Sequence, residues 1–203
     1  MNILLIGGFL GSGKTTIINK LIHDLAAFGL ITAIIENEIG NVGIDDIVLG
    51  ETGIKVTPLF GGCVCCEISG DLIQAVDMIA SEINPNWIII EMTGFAFMDS
   101  IREVFRKYAS PDYLIHTLSV VDVSRWAVFM LTMRPVIERQ LADADVVIVN
   151  KIDENSNYEQ YLAEISKMSL DAPCIPLCAK TVTDTWLWDK ISAIFNGDVE
   201  ENK

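Results

Sequence analysis

The sequence predicts an α/β protein of three layers, in which a mostly parallel central sheet lies between two layers of helices. Short, unbroken apolar runs at residues 31–35 and 146–149 suit strands that are buried on both faces of a parallel sheet. Stretches with apolar residues at helical spacing separate these runs, and residues 15–28 are the clearest of them. This alternation of strand and helix is typical of parallel α/β folds.

The third observation is a glycine-rich turn between the first strand, at residues 3–6, and the first helix. Residues 8–15 read G-F-L-G-S-G-K-T and satisfy the phosphate-loop pattern G-x-x-x-x-G-K-[ST]. In such a loop, backbone N–H groups and the positive helix end surround phosphate oxygens. The pattern therefore predicts a P-loop NTPase fold that binds a nucleoside triphosphate. The expected phosphate contacts are Gly8, Leu10, Gly11, Ser12, Gly13, Lys14, Thr15 and Thr16.

Length and charge limit the remaining choices. The chain has 203 residues, 51% of them hydrophobic, which is enough for one domain with a large core. We expect a single domain at residues 1–196 and a polar C-terminal tail at 197–203. The formal net charge of −14 argues against a nucleic-acid partner, because phosphate backbones require a basic surface.

The sequence also predicts a cytoplasmic protein without a membrane partner. The first strand begins by residue 3 with no charged segment before it, which argues against a signal peptide. The longest apolar stretch, residues 114–133, contains His116, Asp122 and Arg125. We interpret it as a buried strand followed by a helix.

Further apolar patterns predict the other elements of the fold. Strands are expected at residues 54–60, 87–90, 118–122 and 174–177. Helices are expected at residues 68–83 and 185–195, and at 125–142 with an interruption near Pro135.

Carboxylates follow two of the predicted strands, where they would face the phosphate loop. Residues 36–45 form a polar, glycine-containing loop, and Glu38 in this loop is a candidate ligand for Mg²⁺ or water. Glu91 ends the strand at 87–90 and would orient Mg²⁺ together with the hydroxyl of Thr15. Gly94 offers a backbone N–H that could sense the γ-phosphate. Lys14, Thr15 and Glu91 are therefore the predicted catalytic residues.

A second motif, N-K-x-D, follows the strand at 146–149 and predicts recognition of guanine. The carboxylate of Asp153 can accept hydrogen bonds from N1–H and the exocyclic amine of guanine, whereas adenine has no matching donor pair. The full set of predicted base contacts is Asn150, Lys151 and Asp153 with Cys178, Ala179 and Lys180, the last three resembling the S-A-K loop of GTPases.

Three cysteines within four positions predict a metal site. Cys63, Cys65 and Cys66 follow a pair of glycines, and their thiolates suit Zn²⁺ or a similar ion. The alternative is that these cysteines are packed in the interior. The fourth ligand is left open among Glu67, water, a carboxylate of the 36–45 loop and a thiolate from a second subunit.

Together these motifs resemble the CobW/HypB/UreG family of metallochaperone GTPases, and within it the CobW-like branch. The resemblance extends from residue 2 to about residue 195. It rests on residues 8–16, 37–40 with 44–45, 61–66 with 70–72, 91–94 and 150–153. The E-x-x-G form at residues 91–94, with Glu91 in place of the more usual Asp, is especially selective for this family.

The resemblance implies a GTPase that couples its nucleotide state to a transition metal at the C-x-C-C motif. The metal would be Zn²⁺, or alternatively Co²⁺ or Ni²⁺, and GTP would bind with Mg²⁺. The expected partners are GTP and GDP, a client metalloprotein or cofactor-dependent enzyme, and a second copy of the chain in a GTP-dependent homodimer. Two alternatives compete with this interpretation: a P-loop small-molecule kinase, and a regulatory GTPase switch whose cysteines are structural.

Overall fold

The computed structural model describes residues 1–36, 54–58, 69–170, 172–183 and 185–196. This part of the chain forms a sheet of parallel strands with helices on both faces. The strands are β1 (Asn2–Gly7), β2 (Thr32–Glu36), β3 (Ile54–Pro58), β4 (Trp87–Glu91), β5 (Leu114–Asp122), β6 (Val146–Asn150) and β7 (Cys174–Leu177). The helices are α1 (Lys14–Ala27), α2 (Ser69–Ile83), α3 (Met98–Tyr108), α4 (Trp126–Thr132), α5 (Arg134–Ala142), α6 (Glu159–Met168) and α7 (Trp186–Phe195).

The strand order is β3-β2-β4-β1-β5-β6-β7, so β1 lies in the middle of the sheet. Every pair of neighbouring strands is parallel. Ile6 of β1 pairs with Glu91 of β4, and Asp122 of β5 pairs with Asn150 of β6. The carboxyl ends of the strands therefore meet at one edge, which is where open α/β sheets bind ligands.

Two hydrophobic cores, one on each face of the sheet, hold the layers together. Successive side chains of a strand point to opposite faces, and β1 divides its residues accordingly. Ile3 and Leu5 pack with α2, α3, α5 and α6, whereas Leu4 and Ile6 pack with α1 and α7. All four side chains of this set are fully buried. Burial of each contributes roughly 1.5–3 kcal/mol, and the unbroken apolar sequence of β1 follows from its burial on both faces.

The three-layer parallel fold predicted from the sequence is confirmed, with differences at several boundaries. β5 begins at Leu114, four residues before the predicted strand. The predicted interruption near Pro135 is confirmed, because α4 ends at Thr132 and Pro135 lies in the first turn of α5. Helix α1 ends as expected beside Gly29, whose φ of 70° suits glycine. Among the described residues, no helix combines the length and apolar character needed to cross a bilayer.

Two helices, α3 and α6, are absent from the sequence-based prediction. Helix α3 is amphipathic, and its buried residues Met98, Ile101 and Phe105 recur at helical spacing. Helix α6 buries only Ile165 fully, so its apolar pattern is weak. Both helices cover the same face of the sheet.

Candidate functional site

The phosphate loop connects the buried carboxyl end of β1 to the first turn of α1. Gly13, the residue before α1, has a φ of 100°, which L side chains rarely adopt. A Cβ at this position would collide with the side-chain nitrogen of Asn150. The glycine pattern is therefore required both by the backbone turn and by the close approach of β6. The first N–H groups of α1, which have no partner within a helix, begin at this turn.

The side chain of Lys14 folds back onto the start of the phosphate loop. Its Nζ donates hydrogen bonds to the carbonyl oxygens of Gly8 at 2.8 Å and Phe9 at 3.3 Å. Only 7% of the residue is exposed. Burial lowers the pKa of Lys14, and the negative charge of Glu91 opposes that shift. The ammonium group is thus held at the loop, beside the first turn of α1.

Thr15 and Glu91 converge on the same cleft, although 76 residues separate them in the sequence. The Thr15 hydroxyl donates to Oε1 of Glu91 at 3.5 Å. Hydroxyl and carboxylate oxygens are ligands that Mg²⁺ accepts in proteins. Because Lys14 lies next to Thr15 and interacts with Glu91, the predicted catalytic residues form one group. The donor set fits a magnesium ion bound together with phosphate oxygens.

The loop after β4 lies directly against the phosphate loop. A Cβ at Gly94 would be 3.1 Å from the backbone nitrogen of Leu10. Next to it, the rings of Phe95 and Phe9 meet edge to face, with centroids 5.5 Å apart. Gln140 of α5 donates through Nε2 to the carbonyl oxygen of Gly94 at 2.9 Å. This segment is therefore in contact with the phosphate loop and tied to the helix layer.

Asn150 joins the phosphate loop to the segment after β7. Its Nδ2 donates to the carbonyl oxygen of Ser12 at 2.8 Å. Its Oδ1 accepts from the backbone N–H of Ala179 at 2.9 Å and of Lys151 at 2.8 Å. Asn150 and Ser12 are both buried. The buried amide thus brings three of the predicted nucleotide-contacting segments together.

The other predicted base-contacting residues surround this amide. Lys151 has a φ of 65° and precedes a short 3-10 helix, Ile152–Glu154, that carries Asp153. Asp153 is exposed. Lys180 is exposed too, and its Nζ lies 3.7 Å from Oε1 of Glu154. Cys178 is buried in the turn after β7.

An open cleft of about 830 Å³ lies above these residues. Among the described residues, most of those predicted to contact the nucleotide or magnesium line it. The lining comprises Leu10, Gly11, Gly13, Lys14, Thr15, Thr16, Glu91, Met92, Thr93, Gly94, Lys151, Glu154 and Lys180. Six predicted nucleotide contacts do not line the cleft. Asp153 is exposed outside it, and the other five are buried: Gly8, Ser12, Asn150, Cys178 and Ala179.

Three residues of the site, Asp122, Arg125 and Gln140, were missed by the sequence analysis. Asp122 follows an apolar strand just as Glu91 does, so the same reasoning would have identified it. Arg125 and Gln140 reach the site through hydrogen bonds to residues distant in sequence, Leu10 and Gly94, so no local sequence pattern indicates them.

The predicted metal ligands cannot be placed in the same way. Glu38, Cys63, Cys65 and Cys66 lie outside the described residues. Within the ranges that the structure does describe, no group of three His, Cys, Asp or Glu side chains could hold a metal ion. Of the two cysteines that the structure describes, Cys174 is half-buried in β7 and Cys178 is buried just after it.

A parallel sheet with a glycine loop, a buried lysine and a helix start at its central strand defines the class of P-loop nucleotide-binding proteins. Comparison with known families agrees with this class. The nucleotide-binding domain of the CobW/HypB/UreG family matches residues 2–176. The chain belongs to this family.

Individual relatives are similar at modest identity. The zinc chaperone YjiA of Escherichia coli is 27% identical over 179 residues, which are 84% of this chain and 55% of that protein. The zinc chaperone YeiR of the same organism is 31% identical over 159 residues, which are 75% of this chain and 47% of that protein. The chain thus spans about half the length of these relatives.

Solved structures show the same fold. Zn(II)-bound YjiA GTPase from E. coli superposes with a TM-score of 0.68 at 24% identity, over 91% of this chain and 58% of that chain. HypB from Helicobacter pylori in complex with nickel superposes with a TM-score of 0.65 at 17% identity, over 99% of this chain and 90% of that chain.

Proposed function

We propose that the protein binds and hydrolyses GTP and uses the nucleotide state to control a transition metal bound at its C-x-C-C motif. It would act as a metallochaperone or as an insertion factor for a metal-containing cofactor. One observation carries the nucleotide part of this proposal. Lys14, Thr15, Glu91 and Gly94 share one cleft, and Asn150 connects that cleft to the predicted guanine-reading segment.

Lys14 is positioned to exchange its present partners for phosphate oxygens. Its Nζ now bonds the carbonyl oxygens of Gly8 and Phe9 within the loop. Phosphate oxygens bring negative charge to the same buried ammonium group and make stronger, charge-assisted hydrogen bonds. Catalysis would rest on this charge stabilisation and on the positioning of water.

Magnesium would be held beside the phosphates by Thr15 and Glu91, whose oxygens are 3.5 Å apart, with Glu38 as a further proposed ligand. When bound, Mg²⁺ supplies positive charge that neutralises the phosphate oxygens during transfer. Gly94 would sense the γ-phosphate, since it contacts the loop at Leu10.

The N-K-x-D segment makes GTP the proposed nucleotide. Asp153 would accept hydrogen bonds from guanine and Lys151 would lie along the base, while Cys178, Ala179 and Lys180 would close over it. The Asn150 bond to the N–H of Ala179 supports this arrangement, because it brings the two base-contacting segments together.

Nucleotide binding is tested by competition. We expect GTP and GDP to bind in the presence of Mg²⁺ and ATP to compete poorly, with slow hydrolysis of GTP to GDP and phosphate. Lys14→Met should abolish binding, whereas Lys167→Met, an exposed lysine on α6, should not. Preference for ATP would favour the kinase alternative and contradict the proposal.

The metal part rests on the relatives. YjiA and YeiR are zinc chaperones, and this chain carries three closely spaced cysteines in sequence between the polar loop at 36–45 and the segment at 91–98 that contains Gly94. Zn²⁺ is therefore the proposed metal, with Co²⁺ or Ni²⁺ as alternatives. Ordering of residues 36–45 and 91–98 by GTP would change the geometry of the cysteine site, and hydrolysis would reverse the change.

A titration with Zn²⁺ in the GTP- and GDP-bound states tests this coupling. We expect different affinities in the two states. Replacement of Cys63, Cys65 and Cys66 by serine should abolish metal binding, while the matched change Cys174→Ser should leave it intact. Equal Zn²⁺ affinity in both nucleotide states would remove the coupling, and retained zinc in the triple variant would leave the cysteines a structural role.

The proposed partners are a client metalloprotein in the cytoplasm and a second copy of this chain. Leu10 and Phe95 are 83% and 60% exposed beside the cleft, and a homodimer formed with GTP would cover them. Sedimentation with a non-hydrolysable GTP analogue should show a dimer that GDP does not support. Phe95→Ser should weaken it, and Leu170→Ser, on the turn after α6, should not. A monomer in both nucleotide states would contradict the dimer.

A further inference from the structure

The buried carboxylate of Asp122 lies between the phosphate loop and the guanine-reading segment. Asp122 ends β5, and its side chain is completely shielded from solvent. Oδ2 accepts from Nζ of Lys151 at 2.8 Å and from Nε of Arg125 at 2.7 Å. Oδ1 accepts from the backbone N–H of Ser124 at 3.1 Å and from its hydroxyl at 2.5 Å. Both carboxylate oxygens therefore accept hydrogen bonds. Of the two positively charged partners, Arg125 also contacts the phosphate loop and Lys151 belongs to the guanine-reading segment.

Arg125 carries this contact to the phosphate loop. Its Nη2 donates to the carbonyl oxygen of Leu10 at 2.8 Å, while its Nε remains on Asp122. A Cβ at Gly11 would be 3.3 Å from the same Nη2, so the guanidinium lies directly against the loop. The planar fork of arginine allows one side chain to hold two acceptors at once. Asp122 fixes the direction of that fork.

Lys151 carries the contact to the base-reading segment. The residue has a left-handed backbone and immediately precedes the 3-10 helix of Asp153. A second bond holds the same region in place, because Nδ2 of Asn155 donates to the carbonyl oxygen of Val123 at 2.9 Å. The segments after β5 and β6 are thus joined by one ion pair and one neutral hydrogen bond.

The charge of Asp122 persists in spite of its burial. Burial by itself would raise the pKa of Asp122, but the hydrogen bonds from Lys151, Ser124 and Arg125 outweigh this effect, and the pKa lies below its usual range. The carboxylate is therefore ionised at neutral pH. An ionised acceptor holds a lysine and an arginine more firmly than a neutral one.

We propose that Asp122 is a positioning residue for nucleotide binding, which holds the phosphate loop through Arg125 and the base-reading segment through Lys151. This inference rests on the proposed binding of guanine nucleotides. Its consequence is that the two halves of the site share one anchor. Loss of the carboxylate weakens contacts to phosphate and to base together, although the carboxylate acts through its two partners.

The test compares a whole nucleotide with a ligand that fills only the phosphate loop. Affinities for GDP and for inorganic pyrophosphate are measured by titration calorimetry for Asp122→Asn, Arg125→Gln, Lys151→Met and the double variant of Asp122 and Arg125. Each lost charge-assisted hydrogen bond reduces affinity by roughly 10- to 100-fold. Asp122→Asn should weaken both ligands, Arg125→Gln should weaken both, and Lys151→Met should weaken GDP alone.

The double variant separates a positioning role from a general loss of structure. If Asp122 acts on the phosphate loop through Arg125, Asp122→Asn has no further effect on pyrophosphate once Arg125 is glutamine. Additive effects would overturn the inference, as would an Asp122→Asn protein that binds both ligands within about twofold of wild type. Arg134→Gln, which removes an exposed pair with Glu138 on α5, is the matched control and should change neither affinity.

Three further outcomes are informative. If Asp122→Asn does not fold, the half-exposed Arg125 still tests the inference, since Arg125→Gln must lower pyrophosphate affinity; an unchanged value overturns it. If the wild-type protein binds neither GDP nor GTP, the proposed function fails and this inference fails with it. Normal wild-type binding with unaffected variants rejects the role of Asp122 alone.

Discussion

The side-chain amide of Gln140 donates to the carbonyl oxygen of Gly94 at 2.9 Å and to that of Ala96 at 3.2 Å. Gln140 is a buried polar residue on α5, 97% shielded from solvent. Its neighbour Arg139 bonds Asp99 and packs over the ring of Phe97, with Cζ 3.9 Å from the centroid. The loop that touches the phosphate loop is thus anchored to α5 at Gly94, Ala96 and Phe97.

Gln140→Leu should loosen this loop. The substitution keeps the approximate volume of the side chain but leaves two carbonyl oxygens without their donor, which costs about 1–3 kcal/mol of unfolding free energy. We expect faster hydrogen exchange of the backbone amides at residues 94–97. If Gly94 senses the γ-phosphate, GTP affinity should fall more than GDP affinity.

The matched control for this prediction is Gln160→Leu, because Gln160 is exposed on α6. It should change neither exchange nor affinity. Equal losses of GTP and GDP affinity in Gln140→Leu would show that the loop does not distinguish the two nucleotides.

Gly13→Ala should disrupt the site by two effects at once. The φ of 100° is unfavourable for alanine, and the added methyl group meets the side-chain nitrogen of Asn150. Strain of this kind costs on the order of 1–3 kcal/mol, which corresponds to a loss of nucleotide affinity of roughly 5- to 150-fold if all of it opposes binding.

Gly29→Ala is a suitable comparison, since Gly29 also has a positive φ, of 70°, but an added Cβ would meet no atom within 4 Å. It carries the backbone strain without a collision and lies at the far end of α1. Gly29→Ala should therefore bind nucleotide normally in the same calorimetric titration. Unimpaired binding by Gly13→Ala would contradict the close approach of β6.

Nucleotide binding should take up protons at alkaline pH. Burial lowers the pKa of Lys14 in the free protein, against the opposing effect of Glu91, whereas a bound phosphate favours the charged form and raises the pKa. Affinity is therefore highest where Lys14 is protonated in both states, and it falls as the pH rises through the lowered pKa of the free protein.

Calorimetry in two buffers with different ionisation enthalpies measures this proton uptake directly. Measurements at lower pH are the control, because proton uptake by Lys14 disappears where the group is charged both before and after binding. Constant affinity and zero uptake up to the onset of alkaline unfolding would contradict the predicted linkage.

Asp24→Asn should destabilise the fold without directly affecting the cleft. Asp24 of α1 is buried, and its two carboxylate oxygens accept from the backbone N–H groups of Thr185 at 3.0 Å and Trp188 at 3.1 Å. It therefore caps α7 from another helix. Asparagine offers one acceptor oxygen, so one N–H loses its partner at a cost of about 1–2 kcal/mol.

Urea denaturation of Asp24→Asn against Asp189→Asn tests this capping role. Asp189 is exposed in the first turn of the same helix, and Asp189→Asn removes the same negative charge as Asp24→Asn. Similar midpoints for the two variants would mean that the cap contributes little to stability.

The strands of the sheet were predictable from the sequence because burial on both faces leaves an unmistakable pattern. β1, β4 and β6 are continuous apolar runs, and all but the ends of β1 and β4 are buried. Helix α6 was missed because its contacts with the sheet involve mostly half-buried residues. Helix α3 was missed although Met98, Ile101 and Phe105 carried a usable helical pattern.

The site was predictable to the extent that its residues belong to local motifs. Lys14, Thr15 and Glu91 were predicted as site residues because each follows a strand in a characteristic pattern, and they lie close together in the structure. Arg125 and Gln140 could not be identified in this way. Their partners, Leu10 and Gly94, are distant in sequence, and only the folded chain pairs them.

The bond from Asn150 to Ser12 spans 138 residues, and this separation has a consequence for biosynthesis. The glycine turn is synthesised first, and the amide that supports it follows only 138 residues later. On the proposed function, GDP or GTP would be captured only by chains that have completed β6 and β7. Ligand binding then stabilises the finished domain by mass action, so that the nucleotide also acts as a late checkpoint on folding.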